Sequence, residues 1–420
     1  MRKALLRFLA GRALPTIALW LLLPAFHARA SANDWFARAW RSDEGLPDNN
    51  VAGIAQTPDG FLWVGTVGGL VRFDGTRFDE FSPLNVENVP SRGIRTLFLD
   101  SRGTLWMSMD RGIVVRAGFT AAKALTTSDG LPDSQAQVFV EDGEGAIWMG
   151  YGTRRNLGYI KDGHVTMFGE AEGIRGGQGW IAADSKGEIW LAKGGHLSVF
   201  RKGKFQAIKD FPQSGFVRMV AAKTGGLWIA SASKIWRFRE GGDVETAGEL
   251  PEGISVSALL EDHTGAVWIG TLADGLFRRD DAGVEAMPSS HREIECIFEG
   301  REGNIWVGTY GGGLDRLRRR AVELLGTDQG LPFESIRSVC QDSSGAIWVA
   351  TQNGLLARND GAHWPIVSQA TNWPGGTPAC VASDAGGTVW IGTSDHGLLR
   401  FQNGQYTNWR PRDGLSNDRV

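Results

Sequence analysis

The chain has 420 residues, a formal net charge of −3 and an isoelectric point near 6.2, so it offers no basic footprint for nucleic acid and none is expected as a partner. Its 15 prolines and 3 cysteines argue against a collagen-like or disulfide-stapled chain. The 58 glycines and 17 tryptophans, both abundant, must instead be required by the fold.

The first segment predicts export. Arg2, Lys3 and Arg7 precede an apolar stretch over residues 13–26, which is short for a membrane span, and small residues follow at 28–32. We predict a signal peptide over residues 1–32, with an uncleaved anchor as the alternative. Either way the remainder is expected to be exported, and no later stretch is apolar enough to cross a membrane.

One short segment recurs along the rest of the chain at intervals of 38 to 43 residues. Each copy has a central Trp with apolar neighbours, a glycine three residues before it and a small residue two residues after it, as Gly60 and Gly65 stand around Trp63. An Asp often lies six residues before the Trp, which gives a D-x-x-G turn whose glycine can adopt positive φ. Consecutive apolar positions predict a strand buried on both faces. The central tryptophans are Trp63, Trp106, Trp148, Trp190, Trp228, Trp268, Trp306, Trp348 and Trp390.

Within each repeat the pattern predicts four short strands. In the first repeat they cover residues 51–56, 61–66, 70–73 and 77–81, separated by turns that contain glycine. Connections this short force an antiparallel meander, and four strands in about forty residues are typical of a β-propeller blade. The apolar spacing of three and four that a helical repeat would need is absent.

A longer period gives the number of blades in a ring. The link Gly-Leu-Pro begins at Gly45, Gly130 and Gly330, and the variant Gly-Leu-Ser begins at Gly414. The first and third copies lie 285 residues apart and the second and fourth 284 apart, which in each case equals seven repeats. We predict an all-β fold: a seven-bladed propeller of four-stranded antiparallel blades over residues 33–320, followed by the first two blades of a second, incomplete propeller over 321–420.

The segment at 35–40 resembles the outer strand of a blade but has no blade in front of it. We therefore predict that it pairs with residues 314–317 and closes the first ring, and that 321–325 plays the same part for the second. Two blades leave a face uncovered, so the natural chain is expected to continue beyond Val420 with five more blades.

The segment Asp262–Thr271, followed by Gly275–Arg278, resembles the two-component regulator propeller repeat, as do residues 342–355 and the link at 45–51. The resemblance implies the periplasmic sensor region of a hybrid histidine kinase or a related membrane signalling protein, for example one with a diguanylate cyclase. It also implies an oligosaccharide ligand and an output module outside this chain. Two alternatives stay open: an exported propeller scaffold that binds protein or carbohydrate without signalling, and a propeller lyase or glycosidase. Because acids such as Asp142 and Asp184 are expected to serve turns, we predict no catalytic residue and no cofactor for the residues present.

A ligand site is expected where the repeats vary. The residues ten and eleven before each Trp differ in character from blade to blade, and they should lie at the mouth of the ring with the loops that follow the Trp strand. Arginine suits carboxylate or sulfate and tryptophan suits a sugar ring, so an anionic saccharide is the hypothesis; solvated rim residues without a ligand are the alternative. The candidate residues are Arg95, Arg154, Arg155, Trp180, Arg218 and Tyr310.

The remaining expectations concern other groups and partners. Cys296, Cys340 and Cys380 are predicted to be small buried residues of inner strands, and the scattered histidines to be surface residues that form no metal site. The expected partners are a small-molecule or oligosaccharide ligand and a second copy of the chain in a homodimer. A membrane is expected only through residues beyond Val420.

Overall fold

The structure, a computed structural model, describes residues 35–80, 92–118, 122–151, 157–172, 174, 179–212, 215–239, 242, 244–320, 322, 325–359, 361 and 363–420. Regular structure in these ranges consists of β-strands and three-residue 3-10 turns, and none of their helices is long and apolar enough to span a membrane. The predicted signal peptide lies outside them. The 3-10 turns are Ser42–Glu44, Asp110–Gly112, Thr127–Asp129, Glu170–Glu172, Thr327–Gln329, Val367–Gln369 and Pro411–Asp413.

The first 28 strands form seven antiparallel sheets, each the blade of a propeller. Strand β1 is Trp35–Trp40. Blade 1 contains β2 (Val51–Gln56), β3 (Leu62–Thr66), β4 (Gly69–Phe73) and β5 (Phe78–Glu80). Blade 2 contains β6 (Ile94–Leu99), β7 (Leu105–Met109), β8 (Val114–Ala117) and β9 (Ala122–Leu125). Blade 3 contains β10 (Val138–Glu141), β11 (Ile147–Gly150), β12 (Leu157–Lys161) and β13 (His164–Phe168). Blade 4 contains β14 (Gly179–Ala183), β15 (Ile189–Lys193), β16 (His196–Arg201) and β17 (Lys204–Asp210).

The next three blades complete the ring. Blade 5 contains β18 (Val217–Ala221), β19 (Leu227–Ser231), β20 (Lys234–Phe238) and β21 (Val244–Glu249). Blade 6 contains β22 (Val256–Glu261), β23 (Val267–Thr271), β24 (Leu276–Asp280) and β25 (Gly283–Met287). Blade 7 contains β26 (Ile294–Glu299), β27 (Ile305–Thr309) and β28 (Leu314–Arg319), and its fourth strand is β1. The inner strand of each blade lies against that of the next, and β26 lies against β2, so the seven blades form a closed ring.

Strand β1 supplies the outer edge of blade 7. It pairs antiparallel with β28 along its whole length, from Trp35 opposite Arg319 to Trp40 opposite Leu314. The indole of Trp40 lies 5.2 Å from the ring of Phe73 in blade 1 and 5.6 Å from Trp306 in blade 7. The N-terminal strand therefore joins the last blade to the first through both a backbone ladder and an aromatic contact.

The repeated residues have the structural roles that the pattern predicts. All nine glycines before the central tryptophans have positive φ, between 74° and 93°. The small residue after each Trp faces the inner strand of the following blade: a Cβ added to Gly270 would lie 2.6 Å from Ile294 Cγ2. Seven of the nine tryptophans are buried, whereas Trp63 and Trp390 are half-buried. The Trp strand is consequently the packing element between blades.

The Asp of each D-x-x-G turn has a second role that the pattern did not reveal. In blade 6, Asp262 accepts backbone N–H bonds through Oδ1 and the Trp268 indole N–H through Oδ2, at 2.8 Å. The same bond to the central Trp, at 2.7 to 3.1 Å, is made by Asp100, Asp142, Asp184, Asp342 and Asp384. In blades 5 and 7, Ala222 and Gly300 stand at this position, and the indole nitrogens of Trp228 and Trp306 have no partner among the described residues.

A further set of hydrogen bonds joins neighbouring blades at these turns. The side chain that ends an inner strand accepts the backbone N–H of the turn in the preceding blade, as Glu299 Oε1 accepts from His263 at 2.8 Å. Glu141 and Glu261 do the same. At the ring closure the amide oxygen of Gln56 accepts from the backbone N–H of Arg301 at 2.9 Å. Four of the seven blades thus fix the turn of the blade before them.

The remaining residues form a separate compact unit, with the boundary between 320 and 321. Blade 8 contains β29 (Ile336–Gln341), β30 (Ile347–Thr351) and β31 (Leu356–Arg358); blade 9 contains β32 (Pro378–Ser383), β33 (Val389–Thr393), β34 (Leu398–Gln402) and β35 (Gln405–Trp409). The prediction of four strands is wrong for blade 8, whose sheet has three strands. Among the described residues that follow β31, a single bridge joins Ala357 and Ile366, and Trp364 and Pro365 lead into a 3-10 turn instead of a strand. The predicted closing segment at 321–325 lies largely outside the described residues.

The cysteines lie on inner strands as predicted, but their burial differs. Cys296 and Cys340 are half-buried and Cys380 is exposed, and all three are free thiols. The prediction of a buried core residue is therefore wrong for Cys380, because blades 8 and 9 do not enclose the side of β32 on which it lies.

One buried carboxyl lies beside the closing strand. Asp315, opposite Ala39 in the β1–β28 ladder, is 1% exposed at a position that is valine in blades 1 and 2. Its Oδ2 accepts the backbone N–H of Ser290 at 2.7 Å, and its Oδ1 has no partner among the described residues. Burial raises the pKa of Asp315 to about 6, although the Ser290 hydrogen bonds and the charge of Arg41 act in the opposite direction.

Asp315→Asn should stabilise the protein near neutral pH and have little effect in acid. The folded state holds the Asp315 proton more tightly than the unfolded state does. The contribution of this proton to the free energy of unfolding is therefore fully present below the ordinary pKa of 3.8 and is lost as pH rises through about 6. Asn keeps an acceptor for Ser290 and cannot ionise. Relative to wild type, we expect the variant's free energy of unfolding to be nearly unchanged at about pH 4 and about 2 kcal/mol higher at about pH 7.5, measured by urea titration. The exposed Asp281→Asn is the control; an equal gain at both pH values would contradict the assignment.

Candidate functional site

The inner strands of the first ring surround a central cavity of about 390 Å³. Every one of the seven blades contributes to its wall. Side chains alternate along a strand, so in blades 1 to 6 the residue nine before the Trp, such as Leu97 or Ile181, is buried between blades while the residue before it faces the axis. In blade 7 the corresponding residue, Ile297, is half-buried. The polar and aromatic residues of the lining include Arg95, Gln135, Trp180, Arg218, Ser257 and Glu295.

Arg218 and Trp180 form the best-defined pair in this cavity. The Arg218 guanidinium carbon lies 4.1 Å from the centroid of the Trp180 ring, a cation–π contact between blades 5 and 4. Arg218 Nε donates to the carbonyl of Ser257 in blade 6, and Nη1 donates to its neighbour Val217. Three blades therefore fix one guanidinium, whose Nη2 has no hydrogen-bond partner among the described residues.

The charge of Arg218 is retained at neutral pH. Burial lowers its pKa to about 10, and the carboxylate of Glu295 acts in the opposite direction. Because this pKa remains well above 7, the Arg218 guanidinium is a fixed cation in the cavity, and its Nη2 is available to donate a hydrogen bond. The guanidinium covers one face of Trp180, so a ligand can use only the other face and the edge of that ring.

A second polar group lies at the wall formed by blades 2 and 3. Arg95 Nε donates to Asp110 Oδ1 at 3.0 Å, and Gln135 Nε2 donates to the same oxygen at 2.8 Å. The ion pair is more than one-third exposed on its arginine side, so water screens it. Arg95 therefore brings a partly neutralised charge to the cavity.

Two further groups of the wall were not among the predicted site residues. The cavity environment raises the pKa of Glu295 through burial and the nearby Glu293, while Arg218 and Arg95 oppose this shift. Ser257 is 7% exposed and its hydroxyl has no partner among the described residues. Glu295 and Ser257 both stand at the variable position eleven before a central Trp, so the sequence pattern indicates each of them.

The structure brings together three of the six candidate residues. Arg95, Trp180 and Arg218 line the central cavity. Tyr310 is 49% exposed and lies at the same end of blade 7 as Glu295, where its backbone N–H donates to Glu293, but it does not line the cavity. The predicted Arg154 and Arg155 lie outside the described residues.

Two carboxylates that the sequence places at turns are occupied by structural hydrogen bonds. Asp142 and Asp184 each accept two backbone N–H groups and one indole N–H, so the prediction that they serve turns is confirmed. Within the part of the chain that the structure describes, no group of three or more His, Cys, Asp or Glu side chains could hold a metal ion.

Comparison with known proteins identifies the repeats. The family model described as two component regulator propeller matches residues 45–68, 288–311 and 330–353, which include two of the predicted blade links, those at Gly45 and Gly330. No curated protein sequence is significantly similar to the chain.

Solved structures share the fold. The extracellular domain of the putative hybrid two component system BT3049 from B. thetaiotaomicron is 18% identical over 92% of this chain and 55% of its own length, with a TM-score of 0.62. That of BT4673 from the same organism is 19% identical over 90% of this chain and 53% of its own, with a TM-score of 0.57. Virginiamycin B lyase from Staphylococcus aureus is 17% identical over 68% of this chain and 100% of its own, with a TM-score of 0.58.

These likenesses bear on architecture alone. At under 20% identity they show that the chain has the propeller fold, which hosts sensors and lyases alike. The chain spans about half the length of the two sensor domains.

Proposed function

We propose, from the premise that this chain carries two component regulator propeller repeats, that it is the ligand-sensing part of an exported signalling protein and that the first ring binds its ligand in the central cavity. The observation that carries the proposal is the convergence of Arg218, Trp180 and Glu295 in one cavity to which all seven blades contribute. The periplasm is the compartment we assign to it.

The ligand that suits this cavity is an anionic oligosaccharide. A guanidinium with an unpartnered donor recognises a carboxylate or sulfate, and the part of the Trp180 ring that lines the cavity offers an apolar surface to a sugar ring. Glu295 introduces one opposing carboxylate, which discriminates between ligands of different charge. Ligand binding would alter the contacts between blades 4, 5 and 6, because Arg218 touches all three, and a dimer of the chain would transmit that change.

Trp180→Ala should weaken binding of an acidic oligosaccharide about tenfold, because it removes both the ring surface and the support of the Arg218 guanidinium. Phe61→Ala is the matched control: Arg72 lies 4.2 Å above the Phe61 ring, so this variant removes a second cation–π pair that does not line the cavity. Calorimetric titration with acidic and neutral oligosaccharides measures both. Equal affinities in wild type and Trp180→Ala would refute the site.

Glu295→Gln adds a test of ligand charge within the same experiment. Removing the carboxylate should tighten binding of an acidic ligand severalfold at neutral pH and leave a neutral ligand unaffected. Wild-type affinity for the acidic ligand should also rise as pH falls, because protonation of Glu295 removes the same charge. Failure of every oligosaccharide to bind would favour a propeller scaffold without a sensing role.

A further inference from the structure

A second cavity lies beside the strand that closes the first ring. It has a volume of about 350 Å³, and we call it the closure cavity. Its wall comes from β1, from β24 and β28, and from the turns of blades 6 and 7 that precede their central tryptophans. These turns follow the inner strands, whereas Arg95 and Glu295 lie near the beginnings of theirs, so the two cavities are separate. The lining residues used here are Trp35, Glu302, Arg278, Arg318 and Arg319.

Two buried donors of this cavity lack acceptors. Trp35 is 7% exposed and its indole N–H has no partner among the described residues; Arg278 is 5% exposed and its Nε–H is likewise unpartnered. A second nitrogen of Arg278, Nη1, forms ion pairs with both Asp280 and Glu285. Buried N–H groups without acceptors are rare in folded proteins, and both of these belong to residues that line the same cavity.

The charges around the cavity favour an acceptor that is an anion. Neither Arg318 nor Arg319 forms an ion pair with a described residue, and Arg319 lies directly opposite Trp35 in the β1–β28 ladder. Of the two carboxylates in the wall, Asp262 is occupied by its turn and the Trp268 indole, which leaves Glu302 as the opposing charge. Guanidinium and indole N–H groups together bind oxyanions through charge-assisted hydrogen bonds.

We propose that the closure cavity is a binding site for a small oxyanion, a carboxylate, sulfate or phosphate group that accepts hydrogen bonds from Trp35 Nε1 and Arg278 Nε. Arg318 and Arg319 supply the attracting charge. The ligand contacts β1, β28 and the turns of blades 6 and 7 together, so it binds the closed ring and stabilises it.

The site is tested on the 420-residue chain with sulfate, phosphate and glucuronate as probes and glucose as the neutral counterpart of the last. Sodium chloride keeps the ionic strength constant, since exposed arginines respond to salt alone. Tryptophan fluorescence and the melting temperature report binding. We expect at least one of the three anions to bind saturably and raise the melting temperature, and glucose to do neither.

Conservative variants identify the atoms. Trp35→Phe removes the unpartnered N–H while keeping an aromatic ring, and it should weaken the anion about tenfold. Trp40→Phe is the matched control, because Trp40 lies in the same strand with an unpartnered buried N–H but does not line this cavity; it should leave the dissociation constant unchanged. Arg319→Gln changes an exposed residue and should weaken binding severalfold even if Trp35→Phe proves unstable.

Three results would overturn the proposal. The first is that none of the anions binds saturably, which would mean that the N–H groups of Trp35 and Arg278 do not hold an anion. The second is an unchanged dissociation constant in Trp35→Phe and Arg319→Gln. The third is loss of anion binding in Trp180→Ala, which would move the site to the central cavity.

Discussion

Trp40→Ala should lower the free energy of unfolding by about 3–5 kcal/mol, the largest effect we expect from a single substitution in this chain. Trp40 is 1% exposed, and its indole packs against Phe73 of the first blade and Trp306 of the last. Removing it leaves a cavity at the junction where the ring closes. Urea unfolding followed by circular dichroism gives the change in free energy, and hydrogen exchange of β1 shows whether the closing strand is lost first.

Phe36→Ala is the matched control for this effect. Phe36 lies in the same strand and pairs with the same partner, β28, but it is 41% exposed and its ring contacts the guanidinium of Arg318. We expect a loss below about 1 kcal/mol. If both variants lose the same stability, the aromatic junction contributes nothing beyond the strand itself.

Asp262→Ala should cost about 2–4 kcal/mol, since it removes acceptors from two backbone N–H groups and from a fully buried indole. Asp262→Asn tests the indole bond specifically: Asn can accept from the turn through one oxygen, but its amide N–H₂ then faces the Trp268 N–H, and two donors oppose each other. Both variants should therefore unfold at lower urea concentration than wild type, and Trp fluorescence should report the altered environment of the indole.

Blade 5 offers the reciprocal experiment. The turn at Ala222 makes the same backbone bonds as the turn at Asp262, yet the Trp228 indole beside it has no partner. Ala222→Asp should supply the missing acceptor and gain about 1 kcal/mol. A loss in this variant together with a neutral Asp262→Ala would show that the carboxylate–indole bond does not matter for stability.

The repeat pattern was sufficient to predict most of the fold. Trp63 and its eight counterparts mark the strand between blades, and the glycines before them adopt the predicted positive φ. The recurring Asp six residues before Trp could have revealed the indole bond as well, because its spacing is fixed. The three strands of blade 8 could not be predicted, since residues 352–366 contain no marker that distinguishes an outer strand from a loop.

The candidate site was harder to predict because the axis of the ring is reached by residues from every blade. Sequence position alone identifies Arg95, Trp180 and Arg218 as facing the axis. The contacts of each side chain depend also on its position along that axis. Tyr310 lies in the loop after the Trp strand of blade 7 and does not line the cavity. The stacking of Arg218 on Trp180 and the unpartnered hydroxyl of Ser257 depend on side-chain conformations in neighbouring blades.

The antiparallel ladder between β1 and β28 also has a mechanical consequence. Because Trp35 lies opposite Arg319, the chain enters β1 and leaves β28 at the same end of the ladder. Tension applied between these two points would load the hydrogen bonds one at a time, from Trp35 towards Trp40, and not all at once as in shear. A modest pull along the chain would therefore peel the strand and open the ring, while the six other sheets carried little of the load.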